Sequence, residues 1–165
     1  MKHLIYTLLL ILLLSQCNIE TKNKNEDTMP RVTGIGGIFF ESENPSQMRE
    51  WYGNNLGLAI DDYGSPFEFR NANNPNEINY LRWSVMEKES DYFAPSKKGF
   101  MINYRVQNIE GLVKKLAENG TTILDEIETF EYGKFVHILD PEGNKIELWE
   151  PVDSVLTKMG GKTTK

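Results

Sequence analysis

The chain has 165 residues, room for one domain or for one built from two small halves. Apolar residues make up 39% and charged residues 25%, which is enough to close a core. The formal charge of -6, with no basic block, excludes a nucleic-acid footprint, and the only cysteine, Cys17, excludes an internal disulfide.

The chain opens on "MKHLIYTLLLILLLSQC", with Lys2 ahead of an apolar run over 4–14. A bilayer span takes about 20 apolar residues, so the run is short for one. A positive start and a short apolar run instead predict a secretory signal over 1–16. "LLSQC" resembles a bacterial lipoprotein signal, with Gln16 where a small residue is usual. That resemblance implies an exported chain, lipidated (palmitate) at Cys17 and anchored to a bacterial membrane. Two or three acyl chains on one residue would make such an anchor stable. The polar stretch 17–31 then reads as a flexible tether, and 152–165 as a loose tail.

Between them, "VTGIGGIFF" reads as a strand whose glycines mark close backbone approach or a bulge. "NPSQMREWYGNNLG" reads as a helix, with Asn44 as cap, Pro45 at its first position and Gly57 at its end. Met48, Trp51, Tyr52 and Leu56 form its apolar stripe. "LAIDDYG" is a weak strand, and two more flank the turn-rich "NANNPN". After a connector with chain breakers the order repeats: "FMINYRV" as strand, "NIEGLVKKLAENG" as helix, then "TTILDEI", "KFVHIL" and "NKIELWE" as strands. The turn between the last two is "DPEG". The expected fold class is therefore α+β: two tandem βαβββ modules, 32–94 and 99–151, forming a cup-shaped, semi-closed mixed sheet. Such a cup offers a concave surface to a ligand.

Strand alternation orders the candidate residues. In "FMINYRV", Met101, Asn103 and Arg105 share one face and Ile102, Tyr104 and Val106 the other. The first set is expected in the cup and the second against the helix. Glu147, between Ile146 and Leu148, is expected to face the cup too. Arg105 either neutralises an anionic ligand or balances Glu147. His137 is a strand histidine with an ordinary hydrogen bond, a ligand contact, or a metal ligand or base. Tyr132, in the loop before its strand, is placed to close over a ligand. Trp83 and Trp149 are stacking walls or core aromatics.

The motifs "WYGNNLG", "FMINYRVQNIEGLVKKLAENG" and above all "GKFVHILDPEGNKIELWEP" resemble the vicinal oxygen chelate superfamily. That superfamily includes glyoxalase I, extradiol dioxygenases and the fosfomycin and bleomycin resistance proteins. The resemblance implies two βαβββ modules, paired within one chain or swapped between two, so a homodimer is open. It also implies a divalent metal held from the first and last strand of each module. Here those positions fall on Gly37, on a module-one last strand with Tyr80 or Trp83 nearest, on Met101 and on Glu147. Only Glu147 keeps a ligand type, and a divalent site needs three or four N or O donors.

The expectation is thus a membrane-tethered, metal-free protein that needs no cofactor and binds a small organic molecule. Its ligand-binding set is Trp83, Met101, Asn103, Arg105, Tyr132, His137 and Glu147. The alternatives are a glyoxalase-like lyase or isomerase with an altered metal site, using Glu147 or His137 as base, and a non-catalytic interaction or dimerisation module.

Overall fold

The computed structural model describes residues 29–165. The expected signal, Cys17 and most of the tether lie outside the described residues. The elements are β1 (Arg31–Ser42), α1 (Pro45–Leu56), β2 (Gly64–Arg70), β3 (Ile78–Glu87), a 3-10 turn (Asp91–Phe93), β4 (Phe100–Gln107), α2 (Ile109–Glu118), β5 (Thr122–Ile123), β6 (Glu128–Phe130), β7 (Gly133–Leu139), β8 (Lys145–Pro151) and α3 (Asp153–Met159).

One mixed sheet runs in the order β2-β3-β1-β4-β8-β7-β5, with β6 added on β7. In each module the first strand pairs in parallel with the last, β1 with β3 and β4 with β8, and the modules meet along the antiparallel pair β1–β4. That mirrored order is the expected tandem arrangement. It leaves one face of the sheet to α1 and α2 and the other, on which α3 lies, to the cup.

The helices begin where their caps dictate. Asn44 accepts from the Gln47 amide at 3.0 Å, Pro45 stands at the first position, and Gly57 ends α1 in the left-handed region at φ 72°. Asn108 accepts from the Gly111 amide at 3.0 Å to start α2. Ile109 and Leu112 of α2 are buried against Val106, Val136, Ile138 and Leu148, with Tyr104, Val113 and Leu116 packed around them. Burying a side chain of that size stabilises by about 1.5–3 kcal/mol, so this is the main core.

Module one is thinner than its pattern predicts. Helix α1 buries no residue, and Trp51 and Leu56 of the expected stripe remain 52% and 59% exposed. Tyr52 and Met48 are half-buried, and the Tyr52 ring lies tilted 4.5 Å from that of Trp83. The strand expected at "LAIDDYG" does not form either. The Asp61 carboxylate accepts from the amides of Tyr63 and Gly64, both at 2.9 Å, and turns the chain there.

The tail expected to be loose is ordered into α3 and a clasp on β2. Asp153 is held by Arg105 and Asn79, Glu68 donates its amide to the Thr164 carbonyl at 3.0 Å, and Thr164 donates back to Pro66 at 2.9 Å. Polar capture of this kind leaves no apolar periodicity to read.

Candidate functional site

The floor of the module-two half of the cup is Glu147. It comes from β8, whose neighbours Leu148 and Ile146 turn to the helix side, so the carboxylate stands in the cup, only 5% exposed. Side-chain donors hold both of its oxygens. Asn103 Nδ2 donates to Oε2, and the Tyr92 hydroxyl donates to Oε1 at 2.8 Å. His137 Nε2 lies 3.0 Å from Oε1. The His137 ring then turns its Nδ1 to Asp125 Oδ2 at 2.6 Å, and Asp125 Oδ1 accepts the His137 backbone amide at 2.7 Å.

With both carboxyl groups ionised, the two ring nitrogens make their bonds when the ring carries both protons. Burial alone would lower the His137 pKa, but the bonds to Glu147 and Asp125 outweigh it and raise it above the ordinary 6.5. Burial, and then the Glu147 charge, push the Tyr92 hydroxyl upward, so that it stays a donor. Lys145 fixes the turn carrying Tyr92: its Nζ donates to the Tyr92 carbonyl at 2.8 Å and lies 5.5 Å from the ring centre.

Above this floor is a cavity of about 390 Å³ whose walls include Tyr132, Phe130, Phe135, Trp149 and Arg82. Phe130 and Tyr132 stack at 5.4 Å, and Phe135 and Trp149 at 5.8 Å, giving an aromatic wall of parallel ring pairs.

The glycines of β1 make this packing possible. A Cβ at Gly36 would collide with Asn103 Oδ1 and stand 2.8 Å from Trp149 and 3.0 Å from Arg105. The ladder slips between Ile35 and Gly37, the bulge that the glycine run suggested.

Of the expected residues, Asn103, Tyr132, His137 and Glu147 come together on this cavity. Met101 has no exposed surface and fills space with Phe39 and Phe93 beneath it. Arg105 does not balance Glu147; it pairs with Asp153 instead. Trp83 is no wall of the cup, because its ring packs 5.5 Å from Phe40 and 4.5 Å from Tyr52 of α1. The cup-facing residue of that strand is Arg82, which pairs in register with Gly37. Sequence reasoning missed Tyr92, Asp125, Arg82 and Phe130. For Arg82 a signal existed: Trp83 and Val85 alternate as the apolar face, leaving Arg82 to the other side.

The register lines up Arg82, Gly37, Asn103 and Glu147 across the first and last strands of the two modules, so Asn103 and not Met101 stands level with Glu147, and the row carries a guanidinium, a glycine, an amide and one carboxylate whose oxygens already accept from three side chains. Among the described residues no group of three or more histidine, cysteine, aspartate or glutamate side chains is placed to hold a metal ion. That row offers one carboxylate and one amide, where a divalent site takes three or four N or O donors.

The model of the Glyoxalase/Bleomycin resistance protein/Dioxygenase superfamily matches residues 42–148, and the chain belongs to that superfamily. Solved structures share the fold at low identity. The Mn(II)-bound glyoxalase from Novosphingobium aromaticivorans is similar at 12% identity and TM-score 0.57, over 83% of this chain and 43% of that one. A Streptomyces coelicolor methylmalonyl-CoA epimerase is similar at 13% and 0.54, over 74% and 99%. The 2,3-dioxygenase LapB from Pseudomonas sp. KL28 is similar at 22% and 0.52, over 73% and 41%. This chain thus spans less than half the length of the glyoxalase and of LapB. No curated protein matches it in sequence.

Proposed function

We propose that this chain is a metal-free binder of a small organic molecule, seated in the module-two cup with its flat face on Phe130, Tyr132 and Trp149. The observation that carries this reading is the floor. Glu147 is buried beneath an aromatic cavity and held by the donors Asn103, Tyr92 and His137, the environment of a fixed carboxylate acceptor rather than of a metal ligand. Aromatic faces around Glu147, with the Glu128 carboxylate and the Arg82 guanidinium also on the lining, suit a flat ring that carries an N–H or O–H donor.

The test is a thermal-shift screen of small aromatic amines and phenols, repeated in EDTA. Ligands are expected to raise Tm equally with and without chelator, since anything that binds only the folded chain stabilises it. Stabilisation that vanishes in EDTA and returns with added zinc or manganese contradicts the reading.

A lyase- or isomerase-type activity is the second reading. It is favoured by the Asp125–His137–Glu147 relay, which can hold and pass a proton at the cavity floor. The change Glu147→Gln separates the two: an enzyme loses turnover while ligand still binds, whereas a binder has no turnover to lose.

We also propose that Cys17 carries a lipid and holds the domain at a bacterial membrane, on the strength of the apolar run and the cysteine that ends it. Among the described residues no helix is long and apolar enough to cross a membrane. Membrane-fraction recovery of the full chain should be lost in Cys17→Ser; equal recovery of both refutes the anchor.

A further inference from the structure

We propose that the module-one half of the cup is a binding site for a small organic carboxylate, centred on Arg105, and that the chain's own Asp153 occupies it. Arg105 is 4% exposed and lies across two aromatic faces, 5.2 Å from the Trp149 ring centre and 5.8 Å from that of Phe69. Its Nη1 donates to the Tyr80 carbonyl at 3.0 Å and its Nη2 to Asp153 Oδ2, and Asn79 Nδ2 donates to the same oxygen at 3.0 Å. A buried guanidinium between rings is a ready seat for a planar carboxylate.

The present occupant fits it poorly. Arg105 and Asn79 both donate to Oδ2, while Oδ1 is buried with no hydrogen-bond partner of ordinary geometry among the described residues, although the Tyr80 backbone amide is near enough to favour the charged carboxyl. Burial pushes the Asp153 carboxyl up, against the opposing pull of Arg105. A free carboxylate, not bound to a backbone, can turn both oxygens to donors.

The segment that carries Asp153 is also weakly held. Helix α3 buries no residue and has no side-chain cap. Beyond Asp153, its described side-chain hydrogen bond to the sheet is Tyr80 to Thr157 at 3.1 Å, and the Thr164 clasp follows. Beside it lies a cavity of about 430 Å³ bordered by Tyr80, Arg82, Trp149 and Leu156. An incoming carboxylate would exchange with Asp153 at Arg105, leaving no buried charge unpaired, and would extend its organic part into that cavity.

Chemical rescue tests this on the full chain. Asp153→Ala should lower Tm, and acetate or benzoate should raise it again with the logarithm of concentration above the dissociation constant, by about 3 °C at a tenfold excess over that constant. Chloride at equal ionic strength should not. The double change Asp153→Ala with Arg105→Gln should abolish the rescue. A second measurement covers a variant that does not fold: in the unaltered chain, saturating benzoate should speed amide hydrogen exchange in α3. A folded Asp153→Ala that neither anion stabilises overturns the proposal, as does rescue that persists without Arg105. So does α3 exchange that benzoate leaves unchanged. None of these readouts involves Glu147, so this site can fail while the reading of the module-two cup stands.

Discussion

Replacing Glu147 by alanine is expected to lower folding stability by about 3–5 kcal/mol, the usual range when one partner of a buried charge pair is removed. Three donors lose their acceptor at once: the Tyr92 hydroxyl, the Asn103 amide and His137 Nε2. A buried donor left unpaired costs about 1–3 kcal/mol, so two fully stranded groups would already reach this range. Glu147→Gln keeps the shape and one acceptor oxygen, and should cost less. Urea denaturation at neutral pH measures both, and a Glu147→Ala loss below about 1 kcal/mol would mean that the three donors do not depend on Glu147.

The same change carries a pH signature. His137 titrates above its ordinary 6.5 in the folded chain. The folded state therefore binds the proton more tightly than the unfolded one. The stability this adds is fully present below the ordinary histidine value and is lost as pH rises through the raised one. The gap between the unaltered chain and Glu147→Ala should accordingly be wider at pH 6 than at pH 9. A gap that is flat or widens with pH would show that His137 and Glu147 are not coupled.

The second large effect is expected at Gly36. An alanine there drives its Cβ into Asn103 Oδ1, with Trp149 and Arg105 close behind. Overpacking of this sort costs about 1–3 kcal/mol. Here the group that must give way is the one that holds Glu147 Oε2. Gly36→Ala should therefore lose both stability and ligand affinity. Gly34→Ala is the control, because its Cβ would meet only Arg105 Cδ, at an ordinary 3.8 Å. Equal losses at the two positions in denaturation would contradict the packing described for Gly36.

The contrast between these residues shows what local pattern carries. Alternation put Glu147 and Asn103 on the cup face, because flanking apolar residues fix a strand's buried side. Caps and terminal glycines placed both helices, because they act within a few residues. Tyr92 was not legible: it sits on a 3-10 turn inside a connector and reaches Glu147 across 55 positions. Asp125 reaches His137 only once β7 is folded, from a segment with no period of its own. The tail hid for the same reason, since α3 is held by a carboxylate that answers Arg105 from 48 residues away. In module one, the stripe of α1 suggested a core helix, yet the sheet beneath offers it little beyond the Trp83 ring. An apolar stripe states what a helix can bury, and the sheet decides how much it does.

The most direct test of the central claim is an NMR titration of the His137 ring. The full chain has two histidines, His3 and His137, so one substitution at His3 assigns the resonance. A ligand that raises Tm is expected to shift the His137 signal in proportion to occupancy, identically with and without EDTA. A stabilising ligand that leaves the His137 signal unmoved, or moves it only when a divalent metal is supplied, would contradict the account.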